Sequence, residues 1–121
     1  MGRREEHQAA KAALAALGKP LSRRARSRCE LCGTDGPLGV VALDGNPHDQ
    51  PDPEWALMLC ERCRDLTRED PDTLRFLETA MWSEIQPVQI LAVRELRKLD
   101  VPWARETLEG LWLDPEREAL L

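Results

Sequence analysis

Two Cys-x-x-Cys pairs constrain the fold of this chain more than any other feature. The pairs are Cys29–Cys32 and Cys60–Cys63, with 27 residues between them, and the chain has four cysteines in all. Two intervening residues let one tight turn point both sulfurs of a pair at the same metal ion, and two such pairs complete a tetrahedral ligand set. We therefore predict one structural Zn²⁺, bound by Cys29, Cys32, Cys60 and Cys63. Four sulfur ligands leave no coordination position open for catalysis.

Other uses of the cysteines fit the sequence less well. Two disulfides require an oxidising compartment, and no secretory segment is seen in the sequence. A thioredoxin-type redox pair needs a βαβ context and a single Cys-x-x-Cys. An iron–sulfur centre, which also uses four thiolates, is the remaining alternative.

The residues around the cysteines predict the local fold. Gly33 directly follows the first pair and supplies the positive φ that a metal-binding turn needs. An apolar run at 55–59 precedes the second pair, and a polar, helix-compatible stretch at 62–69 follows it. This order predicts a strand that ends at a helix N-terminus, where free N–H groups favour thiolate. Such a head is described as a treble clef or as zinc-ribbon-like.

The region between the cysteine pairs predicts a β-hairpin. Residues 38–43 form a short apolar run, Asp44-Gly45 is a favoured turn dipeptide, and residues 55–59 supply the return strand. The polar loop between them carries His48.

Helices are predicted on both sides of this head. Residues 4–17 are rich in Ala, with Gly18 as a stop and Pro20 preventing continuation. After the head, Asp and Pro residues mark the starts of three to four short helices, at 70–71, 86–87, 101–103 and 114–115. The predicted fold is a small α+β zinc-binding domain, divided into a basic N-terminal helix and arm at 1–28, the four-cysteine zinc head at 29–69 and a helical region at 70–121.

Charge divides the chain unevenly. Residues 1–28 hold eight Lys or Arg and two Glu, a net charge of +6. Residues 29–121 hold nine Lys or Arg and twenty Asp or Glu, a net charge of −11. The acidic body is a poor ligand for a polyanion. The basic arm is a candidate contact for nucleic acid or another anion, or else a solvated linker that neutralises the body. Its candidate contact residues are Arg23, Arg24, Arg26 and Arg28.

The sequence resembles the PhnA-like family, in particular its N-terminal zinc-binding domain, over residues 27–121. The resemblance is carried by Arg-Cys-Glu-Leu-Cys-Gly at 28–33, by Leu-Cys-Glu-Arg-Cys at 59–63 and by Met-Trp-Ser-Glu-Ile-Gln-Pro-Val-Gln at 81–89. It implies a zinc head with helices and the four cysteines as ligands. The family takes its name from an alkylphosphonate-utilisation gene neighbourhood, so the resemblance offers an enzyme of phosphonate metabolism as an alternative function.

A second comparison is with HNH-type nucleases, in which the strand between the cysteine pairs ends in a catalytic His. Here that strand has no His, and Arg64 follows the second pair in place of another His. His48 lies in a loop with Asp44, Asn46 and Asp49, residue types that commonly form turns, so we expect solvent-exposed turn residues there. A degenerate HNH-like finger that binds nucleic acid remains an alternative.

Other candidate residues have a structural explanation. The four Trp are expected to pack in the core, with Trp82 covering its edge and the following Glu84 solvated or bonded to a helix start. His7 is expected to be an exposed helical residue. No catalytic motif appears, so we predict a non-enzymatic interaction module with a protein or anionic partner. No apolar run reaches membrane-spanning length, which favours a cytoplasmic protein.

Overall fold

The computed structural model describes residues 3–121, and the side chains of residues 8, 9 and 11–121. The chain folds as a small α+β structure with one two-stranded antiparallel hairpin. In the described part, no helix is both long and apolar enough to cross a membrane. The elements are α1 Arg3–Ala15, α2 Gly18–Ala25, β1 Leu38–Ala42, β2 Ala56–Cys60, α3 Leu77–Ala80, α4 Gln86–Lys98, α5 Pro102–Glu109 and α6 Pro115–Glu118, with 3-10 turns at Pro53–Trp55, Arg62–Arg64 and Pro71–Leu74.

The hairpin forms where the sequence predicts it. Leu38 pairs with Cys60 at one end of the register, and Ala42 pairs with Ala56 at the other. Gly45 adopts a φ of 101° in the turn region after β1, a conformation that is costly for residues with a Cβ. The pairing places Cys60 at the end of the hairpin that faces the first cysteine pair.

Both faces of β2 are buried, so the hairpin is the middle layer of the fold. All five residues of β2 are buried. Because side chains alternate along a strand, Leu57 and Leu59 enter the larger core with the C-terminal helices, whereas Ala56 and Met58 pack with Leu21 of α2 in a smaller one. The continuous apolar run at 55–59 is the sequence signature of this two-sided burial.

Helix α4 is the centre of the larger core. Pro87 lies in the first turn of α4. The inward face of α4 carries Ile90, Val93 and Leu96, whose exposed fraction is 0%. Neighbouring α3 and α5 pack against it. The predicted start signals are confirmed at two further points, because the side chains of Asp70 and Asp114 accept hydrogen bonds from the backbone N–H of Asp72 and Arg117.

The predicted basic arm is helical as far as Ala25, where α2 ends. Gly18 and Pro20 do not end the helical region, because the chain bends at 16–17 and continues as α2. Pro20 falls in the first turn of α2, where its missing N–H removes no helical hydrogen bond. Leu21, which is 1% exposed, packs α2 against the hairpin. Tertiary burial therefore outweighs the local stop signals.

The helix predicted over 62–69 is also absent, and the residues after Cys60 form the 3-10 turn Arg62–Arg64 instead. This segment is too short to have a helix macrodipole, so the predicted thiolate stabilisation by a helix N-terminus is wrong. Polar residues 62–69 lack the apolar periodicity that packs a helix onto a core.

The prediction that all four Trp pack in the core holds for only part of the set. Trp55 is buried, and Trp103 is half-buried beneath the guanidinium of Arg75, 4.7 Å from its ring centroid. Trp82 and Trp112 are 51% and 82% exposed, so the expectation of core packing is wrong for these two residues.

Candidate metal centre

The sulfur atoms of Cys29, Cys32, Cys60 and Cys63 meet in one cluster, within 4.8 Å of one another. The Sγ atoms of Cys32 and Cys60 are 3.7 Å apart. A tetrahedral zinc with Zn–S bonds of about 2.3 Å holds its sulfurs about 3.8 Å apart, so the cluster has the dimensions of a four-thiolate site. Among the described side chains, it is the only place where three or more potential His, Cys, Asp or Glu ligands converge.

A tight turn presents the first cysteine pair. The N–H of Gly33 donates to the carbonyl of Cys29 over 2.9 Å, and the N–H of Cys29 donates to the carbonyl of Thr34 over 2.8 Å. Gly33 has a φ of 84°, which confirms the predicted positive value. These bonds fix the curvature that brings two sulfurs from either end of the turn to one point.

The end of the hairpin presents the second pair. Cys60 is the last residue of β2, opposite Leu38, and Cys63 follows in the 3-10 turn. Both residues are buried, as is Cys29, whereas Cys32 is half-buried. A cluster with three buried members and one half-buried member is compatible with a structural metal site.

Glu30 ties the first turn to β2. Its N–H donates to the carbonyl of Met58 over 2.9 Å, and its Oε1 accepts from the N–H of Met58 over 3.0 Å. Its side chain is only 2% exposed. The residue that follows the first cysteine therefore anchors the turn against the centre of the fold.

Arg24 neutralises this buried carboxylate. Its Nε and Nη2 donate to the two carboxylate oxygens of Glu30, each over 2.8 Å. The same guanidinium donates to the carbonyls of Pro53 and Ala56. Sequence reasoning missed this pair, because nothing in the spacing favours Arg24 over the neighbouring arginines as the partner of Glu30.

The thiols influence one another's ionisation. A hydrogen bond from the Cys63 thiol lowers the pKa of Cys29 to about 4, against an opposing effect of burial and with help from the backbone at Cys32 and Cys60. The hydrogen bond to Cys29 and then burial raise the pKa of Cys63 far above its usual range, and burial raises the pKa of Cys32. Without a cation the cluster therefore favours a thiolate at Cys29 supported by neutral neighbours. A divalent cation offsets the repulsion that opposes further ionisation.

The candidate anion contacts do not act as one group. Arg23, Arg26 and Arg28 are exposed, but Arg24 is bound to Glu30 and to two carbonyls and belongs to the fold. Arg26 and Ser27 have φ values of 55° and 58°, which turn the chain from α2 towards Cys29. Three exposed arginines thus flank the turn of the first cysteine pair on its N-terminal side.

The loop around His48 is an exposed turn. Oδ1 of Asn46 accepts a hydrogen bond from the N–H of His48 over 2.9 Å. The side-chain NH₂ of Asn46 donates to the carbonyl of Gln50. The ring of His48 is 62% exposed and lies 3.4 Å from a carboxylate oxygen of Asp52. Neither Asp44 nor Asp49 joins His48 in a cluster with potential metal ligands.

The segment at 81–89, which carries part of the family resemblance, makes structural contacts. Ser83 Oγ accepts from the N–H of Ile85 ahead of α4, and Glu84 is exposed. Gln89 is 5% exposed, donates to the carbonyl of Met81 and accepts from Arg117. The side chain of His7 lies outside those that the structure describes.

Comparison with known proteins found no matching family model, no matching curated protein and no matching solved structure. The resemblance to the PhnA-like family therefore stays a prediction from the residues that carry it.

Proposed function

We propose that this chain is a small, non-enzymatic binding module whose fold is completed by one structural Zn²⁺ in a zinc-ribbon-like site. The observation that carries the proposal is the convergence of four cysteine sulfurs within 4.8 Å, from two separate turns of the chain. Zinc suits this donor set because it prefers tetrahedral thiolate coordination and has no redox chemistry of its own.

A zinc ribbon describes the head better than a treble clef. A treble clef places its second ligand pair at the start of an α-helix, whereas here a strand end and the 3-10 turn Arg62–Arg64 present Cys60 and Cys63. A turn before the hairpin presents the first pair. The metal would therefore join two short turns of the chain.

A structural role follows from the ligand set. Four protein sulfurs fill the coordination sphere of zinc, and a catalytic zinc keeps one position for water or substrate. Phosphonate hydrolysis and HNH-type cleavage both use a metal with His or carboxylate ligands and an open position. Among the described side chains, the one group of three or more potential metal ligands is the four-cysteine cluster, and the proposal rests on that cluster.

Nucleic acid is the second candidate partner, favoured by the exposure of Arg23, Arg26 and Arg28. Phosphate contacts release counterions, so binding of this kind weakens as the salt concentration rises. Replacement of all three arginines by Ala is expected to lower both the affinity for a labelled oligonucleotide and its salt dependence. An affinity that is unchanged by the replacements would remove this candidate.

Elemental analysis of protein purified without added metal tests the main proposal. We expect one zinc per chain, loss of the far-UV circular dichroism signal on chelation, and recovery when zinc is added back. Metal-coupled folding of this kind contributes on the order of 10 kcal/mol. Iron in the protein, together with visible charge-transfer absorption, would show that the cysteines hold an iron–sulfur centre and not zinc. Two metals per chain, or a metal that leaves an intact fold behind, would overturn the structural role.

A further inference from the structure

A groove between the N-terminal helices and the hairpin has an apolar floor and a basic rim. Leu14 of α1 and Leu38, Val40 and Met58 of the hairpin form the apolar part of its lining. The basic residues of its lining are Lys11, Lys19 and Arg23. We call this surface the basic groove.

The charges of the basic groove are not used within the described part of the chain. Lys11, Lys19 and Arg23 are exposed, and none forms an ion pair with another described side chain. Arg24, one residue further on, is fully engaged by Glu30 and by backbone carbonyls. The groove therefore offers apolar area together with positive charge that has no counterion among the described side chains.

The opposite end of the chain carries the complementary chemistry. Trp112 is 82% exposed, more than the other exposed large apolar side chain, Trp82. It lies between Glu109 and the acidic residues Asp114, Glu116 and Glu118, all of which are exposed. We call residues 109–118 the acidic tip.

The acidic tip and the basic groove of one chain lie on different sides of the central layer. Leu108 and Leu111, beside Trp112, pack against the larger core on one face of the hairpin. Leu14 and Val40 of the groove pack against the smaller core around Leu21 and Met58, on the other face. A tip therefore does not reach the groove of its own chain.

We propose that the acidic tip of one copy of this chain docks in the basic groove of a second copy, with Trp112 on the apolar floor and the flanking carboxylates facing Lys19 and Arg23. The inference rests on the proposed binding function and names its partner. An exposed Trp between charges is typical of the residues that dominate interface energies, and opposite charges at the rim promote encounter. Tip and groove are different surfaces of the chain. Two copies that exchange tips therefore form a closed dimer, and copies that do not exchange tips form a ring or an extended chain.

Nucleic acid fits the basic groove less well. Single strands bind on basic surfaces through aromatic side chains that stack on the bases, and no aromatic residue lines this groove in the described part of the chain. Its apolar lining has no use in contacts with phosphates, whereas it matches an indole ring and leucine side chains. These observations favour a protein segment as the occupant.

Sedimentation velocity on the zinc-loaded full chain tests the proposal. We expect association that grows with protein concentration and weakens with salt. W112A, which lacks the anchor, and K19E/R23E, which reverses the rim, are each expected to weaken it by roughly tenfold or more. An equimolar mixture of the two variants is expected to associate again, because one variant keeps the groove and the other keeps the tip.

Several results would overturn the proposal. Wild-type protein that is zinc-loaded, folded and monomeric at every concentration would do so and would leave the proposed zinc module intact. Association that survives K19E/R23E would place the contact elsewhere. Monomeric wild type whose oligonucleotide binding is lost in K19E/R23E, but not in W112A, would assign the groove to nucleic acid. Zinc content and circular dichroism of each sample distinguish these results from failure to fold.

Discussion

The guanidinium of Arg24 and the carboxylate of Glu30 face each other through two hydrogen bonds of 2.8 Å, six residues apart in the chain. Glu30 lies between the two cysteines of the first pair and Arg24 lies in α2, so the ion pair connects the turn of the first cysteine pair to the N-terminal helices. The carboxylate side chain is 2% exposed and the arginine side chain 22%. Removing one partner from such a buried pair leaves a charge that neither water nor another cation satisfies.

Arg24→Ala is expected to lower the free energy of unfolding by about 2–4 kcal/mol, because Glu30 would keep only the N–H of Met58 as a partner. The exposed neighbour offers a matched control, and Arg23→Ala is expected to stay within about 0.5 kcal/mol of wild type. Urea denaturation of both variants in zinc-saturated buffer, at a protein concentration at which the chain is monomeric, makes the comparison. Equal midpoints for the two variants would show that the pair adds nothing to stability.

Much of the fold follows from local signals in the sequence. The cysteine spacing, Gly33 and the strands on either side of Asp44-Gly45 are short-range features, and the structure confirms each of them. The Asp-Pro pairs that start helical turns at Asp70 and Asp114 are equally local. Such signals are predictable because a few adjacent residues determine the backbone conformation.

The errors arise where distant parts of the chain decide the outcome. Burial of Leu21 against Met58 keeps α2 helical despite Gly18 and Pro20, and no pattern within residues 18–25 shows that contact. The partner of Arg24 is likewise a matter of tertiary geometry. The exposure of Trp112 could not be predicted either, because composition places Trp in a core by default.

Zinc binding at pH 7 is expected to release fewer than four protons from a metal-free chain that keeps the folded cluster, and about four from a chain that has unfolded. The pKa of Cys29 is lowered to about 4, so its thiol is already ionised in the folded cluster, whereas Cys32 and Cys63 have raised pKa values and must lose their protons to the buffer when the metal binds. Calorimetric titration in two buffers of different ionisation enthalpy measures the number released. Release of four protons would show that Cys29 is protonated in the metal-free protein.

The signs of these shifts also determine how stability depends on pH. The lowered pKa of Cys29 stabilises the metal-free fold fully above the unfolded value of 9.0, and this contribution is lost as the pH falls towards 4. The raised pKa values of Cys32 and Cys63 act in the opposite direction. Their contribution to the stability of the metal-free fold is complete below pH 9.0 and is lost as the pH rises above that value. Zinc reverses this second trend, because it binds only thiolates.

Acidification is therefore expected to release the metal and unfold the zinc-loaded protein, which circular dichroism and a zinc-sensitive dye can follow together. Retention of zinc down to a pH of about 4 would contradict this expectation.

Gly33→Ala is expected to destabilise the zinc-loaded protein by about 1–2 kcal/mol, because an Ala at a φ of 84° is strained. Gly36 provides the control within the same loop, since an added methyl group would have no atom within 4 Å apart from its own residue and its chain neighbours, and the φ of Gly36 lies outside the left-handed region. Gly36→Ala is expected to be neutral or to stabilise by about 0.5 kcal/mol. A competition assay with a chromogenic chelator is expected to show weaker zinc retention for Gly33→Ala only. Equal retention in both variants would mean that the turn accommodates the added methyl group.

Gln89→Leu is expected to cost about 1–3 kcal/mol of unfolding free energy, because it leaves the carbonyl of Met81 without its side-chain donor in a buried site. The same change removes the acceptor of Arg117, 3.0 Å away, which links α4 to α6. Hydrogen exchange in α6 is therefore expected to accelerate more than exchange in the hairpin. Arg117→Ala provides the comparison, since it breaks the link to α6 but keeps the bond to Met81. If both variants lost equal stability, the link to α6 rather than the bond to Met81 would account for the role of Gln89.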